Sequence, residues 1–121
     1  MDFQELFQND NAEEEDIPDY TIIEWNGFRI RLLNVHHSLW GDKLAECSKL
    51  TAQIIINKEF NFDVTGKTVI EFGAGAGLPS IVAGKCGAKN VIATDYNDDI
   101  LIDNLKFNVS QYSNVQPSLF Q

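Results

Sequence analysis

The sequence predicts an α/β domain of the doubly wound kind, and three observations point there. The apolar run Thr68–Phe72 ends in the loop Gly73-Ala74-Gly75-Ala76-Gly77, and Pro79-Ser80 opens the next segment. A second apolar run, Asn90–Thr94, leads into Asp95, 18 residues beyond Gly77. Helical spacing fills the stretches between and after these runs, which is the alternation a parallel sheet requires.

Taken in order, the elements begin with a hairpin. Tyr20–Glu24 and Phe28–Leu33 flank Trp25-Asn26-Gly27, and Asn-Gly between β-rich runs favours the positive φ angles of a type I′ turn. A linker from Asn34 to Ser38 carries His36 and His37, for which a structural or surface role is expected rather than metal binding. From Gly41 to Asn57, Leu44, Cys47, Leu50 and Ile54 form the apolar stripe of a helix. Thr65-Gly66-Lys67 reads as a turn, and Thr68–Phe72 as a short buried parallel strand. Pro79 suits the first helical position, where its missing N–H costs nothing, and Gly84 and Gly87 offer a left-handed stop near Lys85. After the strand Asn90–Thr94, Asn97 reads as an N-cap, with Asp98 and Asp99 in the first turn and Leu101, Leu105 and Val109 on one face. Asn104 and Asn108, one turn apart, read as surface or loop-bracing residues.

Composition narrows the class. A chain of 121 residues allows one small domain, and 44% apolar with 22% charged residues is ordinary for a soluble globular protein. No apolar stretch nears the ~20 residues a membrane span needs, and the N-terminus lacks a signal pattern, so a cytoplasmic protein without membrane partners is expected. The net charge of −9 is concentrated at the start: Asp2, Glu5, Asp10, Glu13, Glu14, Glu15, Asp16 and Asp19 hold eight of the 18 carboxylates, with no Lys or Arg among them. Residues 1–19 are therefore predicted to be a disordered acidic leader, followed by one domain over 20–121; the charge argues against nucleic acid as a partner. Cys47 and Cys86 form no CxxC motif and are expected to be buried, reduced thiols, with no metal site.

The chemistry lies in the loop and the acid. Gly73, Gly75 and Gly77 bear no side chain, so a ligand can approach backbone N–H groups and a helix N-terminus. Asp95, at the carboxyl end of the neighbouring strand, can accept hydrogen bonds from both hydroxyls of a ribose. A dinucleotide fingerprint needs a third glycine where this chain has Leu78, counted from Gly73. Glu71 beside the loop would repel phosphates but suit an ammonium. A ribose, an adenine, an amino-acid end and no phosphate together describe S-adenosylmethionine.

The segments SLWGDKLAE, VIEFGAGAGLPSIVAGKCGA and VIATDYNDDILIDNLKFNV resemble the class I, seven-strand S-adenosylmethionine-dependent protein methyltransferases. Within them, the likeness is to the elongation factor 1-alpha lysine and N-terminal methyltransferase group, which is nicotinamide N-methyltransferase-like, and it covers about residues 20–109. The resemblance implies a Rossmann-like methyltransferase fold, preceded here by the hairpin and helix. It implies that Trp40 lines the cofactor pocket, Gly73, Ala74 and Gly75 wrap the methionine end with Glu71 near its amino group, and Asp95 holds the ribose. Gly77 completes the cofactor-binding set. It also implies a protein substrate, with elongation factor 1-alpha as the target.

A complete fold of that family continues through further strands and a substrate-orienting segment. The chain is thus expected to be a fragment or truncated product with weak cofactor binding and little activity of its own, and no catalytic residue can be named. An open parallel sheet edge would invite self-association. Three other readings stay open: a small-molecule, nicotinamide-like N-methyltransferase; an oxidoreductase with a nicotinamide cofactor; and a non-catalytic half-domain that pairs through its edge or leader.

Overall fold

A computed structural model describes residues 20–34 and 44–120. The leader 1–19, His36, His37 and Trp40 lie outside the described residues. Among the described residues nine elements follow one another: β1 (Tyr20–Trp25), β2 (Phe28–Leu33), α1 (Glu46–Asn57), a 3₁₀ turn (Glu59–Asn61), β3 (Thr68–Phe72), α2 (Leu78–Lys85), β4 (Asn90–Tyr96), α3 (Asp99–Val109) and β5 (Val115–Phe120). Strands β1 and β2 form an antiparallel hairpin, and β3, β4 and β5 form a parallel sheet in that spatial order.

The hairpin turns on Asn26 and Gly27, at φ 47° and 81°, the left-handed pair that a two-residue turn requires. In the parallel sheet, Val91 and Ala93 of β4 point to the same face as Val69 and Glu71 of β3. That face meets Leu78, Ile81, Val82 and Ala83 of α2 and Leu105 and Val109 of α3 in one apolar core. Gly84 makes close packing possible: a Cβ there would stand 2.5 Å from Val115 Cγ2 of β5.

Five expectations are corrected. The first helix begins at Glu46, not Gly41, with Ala45 extended at its cap and Leu44 outside the helix; residues 41–43 are not described. Its buried face is Ala52 and Ile55, whereas Leu50 is 62% exposed and Cys47 is exposed. Ala52, Ile54, Ile55 and Ile56 offer two competing apolar stripes, and packing against α2 selects the one with the small alanine at its centre. Cys86 is half-buried, so neither thiol is enclosed. Strand β3 is not buried on both faces: Ile70 is 52% and Phe72 71% exposed, because the described helices cover only the other face and β3 pairs only with β4 among the described strands. The N-cap of α3 is Asp98 rather than Asn97; its carboxylate accepts the N–H groups of Ile100 and Leu101 at 3.1 Å each. Finally, β5 is a third parallel strand that pattern alone did not reveal, since Gln116-Pro117-Ser118 breaks its apolar run.

Candidate functional site

The end of β3 runs into a five-residue loop, and at three of its positions the backbone is one that only glycine makes easy: Gly73, Gly75 and Gly77 have φ of 67°, 55° and 91°. A Cβ at Gly73 or Gly75 would meet nothing within 4 Å, so the loop presents bare backbone to open space there. Gly77 faces the other way, and a Cβ on it would stand 2.7 Å from Leu105 Cδ1. The loop is therefore open on one side and packed against α3 on the other.

Parallel pairing carries β4 past the end of β3 and delivers Asp95 to this loop. Its Oδ2 accepts the Gly75 N–H at 2.7 Å, and its Oδ1 accepts the Tyr96 N–H at 2.6 Å. A carboxylate has about four lone-pair positions, so both oxygens can still accept further donors. Thr94 ties the two strand ends together: its carbonyl accepts the Ala74 N–H at 2.9 Å and its hydroxyl donates to Glu71 O at 2.6 Å. A cleft of about 380 Å³ opens here, lined by Phe72, Gly73, Asp95 and Tyr96; ligand pockets begin near ~300 Å³.

Glu71 lies on the helix-facing side of β3. Its Oε1 accepts the hydroxyl of buried Ser80, the third residue of α2, at 2.7 Å. Burial pushes its carboxyl up to about 7; the Ser80 hydrogen bonds oppose that rise, and the Asp95 charge adds to it. Glu71 lines a second cleft of about 330 Å³, with Thr51, Ile55, Phe62, Pro79 and Ser80 among its walls. Phe72 borders both clefts.

Of the predicted site residues, the structure thus brings together Gly73, Ala74, Gly75 and Asp95. It sets Glu71 behind the same strand end and turns Gly77 into the core. Trp40 lies outside the described residues. Sequence reasoning missed Thr94, Ser80 and Tyr96, and gave Asn108 no part in the site. The signal available for Asn108 was a polar side chain repeating at i and i+4 inside the apolar face Leu101–Leu105–Val109.

The chain has known relatives. The model of the ribosomal protein L11 methyltransferase (PrmA) family matches residues 49–119, from α1 to β5. The chain belongs to this methyltransferase family. Among curated relatives, the protein N-terminal and lysine N-methyltransferase EFM7 of Yarrowia lipolytica is 46% identical over 88 residues, covering 73% of this chain and 32% of the relative. Its namesake in Schizosaccharomyces pombe is 48% identical over 88 residues, covering 72% and 33%. A solved Streptococcus mutans protein assigned to the SAM-dependent methyltransferases superposes with a TM-score of 0.67 at 16% identity, over 88% of this chain and 28% of that one. The fold is therefore Rossmann-like and of the methyltransferase type. The chain spans about a third of the length of the curated relatives it matches.

Proposed function

We propose that this chain forms the S-adenosylmethionine-binding part of a methyltransferase that modifies lysine or N-terminal amines of protein. The observation that carries this reading is Asp95, held by the Gly75 N–H at 2.7 Å at the mouth of a loop with free space on its open side. The residues fit such a cofactor. Gly73, Ala74 and Gly75 offer approach to backbone, Asp95 offers acceptors for ribose hydroxyls, and the paired carboxylates Asp95 and Glu71 disfavour a phosphate while suiting an ammonium. Gly77 serves by letting the loop pack on α3, and Trp40 is proposed as a wall of the pocket. The bound sulfonium would supply an already activated methyl group. This chain's residues bind and orient; Asp95 fixes the ribose end, and the bare loop admits the amino-acid end.

A protein substrate is supported by the names of the relatives, and translation elongation factor 1-alpha is the proposed target, with the cytoplasm as its location. Among the described residues no helix is long and apolar enough to cross a membrane. The exposed Ile70, on a strand that pairs only with β4 among the described strands, supports self-association of the chain.

Isothermal titration with S-adenosylhomocysteine tests the reading: wild type should bind, Asp95→Ala should lose about tenfold or more in affinity, and NADH should give no heat. Binding of NADH in preference would favour the oxidoreductase reading. Labelled methyl donor with cell extract or with nicotinamide distinguishes a protein acceptor from a small molecule.

A further inference from the structure

Asn108 stands on the buried side of α3, 6% exposed, beneath the glycine loop. Its Nδ2 donates to Ala76 O at 2.8 Å and to Arg31 O at 2.9 Å, and its Oδ1 accepts the Arg31 N–H at 2.9 Å. One side chain therefore joins α3, hairpin strand β2 and the loop. Asn104, one turn earlier, bonds to Arg31 alone: its Nδ2 donates to Arg31 O at 2.9 Å, and its Oδ1 accepts Arg31 Nε at 2.8 Å. The Arg31 guanidinium is held between the rings of Tyr20 and Phe107, 3.9 and 3.7 Å from their centroids.

A buried amide is costly unless its donors and acceptor are all used, and here they are. An apolar side chain at this point would fill the space but strand the carbonyl of Ala76 and the N–H of Arg31, whose own carbonyl would keep only Asn104. The Ala76 carbonyl matters because glycines flank it, and peptide planes next to glycine rotate easily. Holding that carbonyl fixes the Ala76–Gly77 peptide plane, whose Gly77 N–H donates to Ala74 O at 2.8 Å and so steadies the Ala74–Gly75 plane, whose N–H points at Asp95. Asn104 gives the hairpin a grip on α3 but leaves the loop untouched.

We propose that Asn108 is a positioning residue of the cofactor site: it pins the Gly73–Gly77 loop to the hairpin, so that β2 and the loop hold one another in the ligand-ready arrangement. The inference rests on the cofactor reading above for its ligand, and on the hydrogen-bond network alone for its geometry. It makes the hairpin, remote in sequence from both strand ends, a determinant of cofactor affinity.

The test compares Asn108→Asp and Asn108→Ala with Asn104→Ala. Asn108→Asp keeps size and the acceptor for Arg31 N–H but loses the donor to two carbonyls; Asn108→Ala removes the bonds without adding charge. Both should lose about tenfold in affinity for S-adenosylhomocysteine, while Asn104→Ala should lose less than about threefold at a similar drop in melting temperature. In the unliganded proteins, amide exchange over residues 74–77 should quicken in both Asn108 variants and stay as in wild type in Asn104→Ala. Wild-type affinity in the Asn108 variants, or unchanged loop exchange, overturns the proposal. Should wild type bind no S-adenosylhomocysteine, the cofactor reading fails and the exchange comparison alone decides the positioning role. If the Asn108 variants do not fold, the wild-type protein decides: the Asn108 side-chain amide protons should be as protected as the Gly77 amide, and fast exchange would overturn the role.

Discussion

Glu71 illustrates how one position can oppose stability and serve binding. Its carboxyl, raised by burial to about 7, binds a proton more tightly in the folded chain than in the unfolded one, where 4.5 applies. The contribution to stability is thus fully present below about pH 4.5 and lost as pH rises through 7. Glu71→Gln should make the protein more stable than wild type at pH 8 by roughly 1–3 kcal/mol, with the gap closing toward pH 4, as read by urea denaturation at both pH values. If Glu71 faces the ammonium of the cofactor, wild-type affinity for S-adenosylhomocysteine should weaken below pH 7, and Glu71→Gln should remove that dependence. Neighbouring glycines divide in the same way. Gly75 has open space before it and Gly77 has Leu105, although both have positive φ. Gly77→Ala should therefore cost about 2–4 kcal/mol of stability from strain and overpacking together. Gly75→Ala should cost about 1–2 kcal/mol and act mainly on ligand binding. Thermal melts and titration of the two variants would separate these effects; equal loss of stability would contradict the division.

Among the elements, α2 is the one most tightly specified. Its first turn holds Pro79, whose ring needs no N–H partner, and Ser80, which reaches Glu71. At its other end, Asn114 Nδ2 donates to the carbonyl of Gly84 in the last turn and to that of Ala88 in the loop beyond it, at 3.0 and 2.9 Å. Asn114→Ala should lower stability by about 1–3 kcal/mol and, being remote from Asp95, leave cofactor affinity unchanged. Most of α2, the hairpin turn and the two strands leading to the loop were legible because each is set by nearby residues: Asn26-Gly27, Pro79, Gly87 and two short apolar runs. By contrast α1 was read with the wrong face, since its isoleucines supply apolar residues in more directions than one. Strand β5 escaped because Pro117 argues against a strand, and only its place beside β4 makes that proline tolerable.

At the scale of the whole molecule, a one-sided sheet is the main feature. The described helices bury one face, while Ile70 and Phe72 remain largely exposed on the other, beside the edge of β3. Sedimentation of the chain should show association that grows with concentration, and Ile70→Lys should reduce it. A monomer at all concentrations would remove the self-association part of the proposal. Coupling across the molecule runs through Arg31 and Asn108, since α3 hydrogen-bonds the hairpin through Asn104 and Asn108 and hydrogen-bonds the loop through Asn108.

From its residues alone, the chain specified an alternating strand–helix order, a loop that needs glycine at three positions, and an acid at the end of the next strand. Those features depend on backbone preference and on residues close in sequence, so they can be read without a structure. Tertiary structure decided which face of α1 is buried, that Gly77 serves packing rather than open space, that Glu71 lies behind the strand with Ser80, and that Asn108 braces the loop. Each of these depends on partners brought together only by folding: Asn108 and Ala76 lie 32 residues apart, and Asn108 and Arg31 lie 77 apart. No local pattern records which distant carbonyl a buried amide will find.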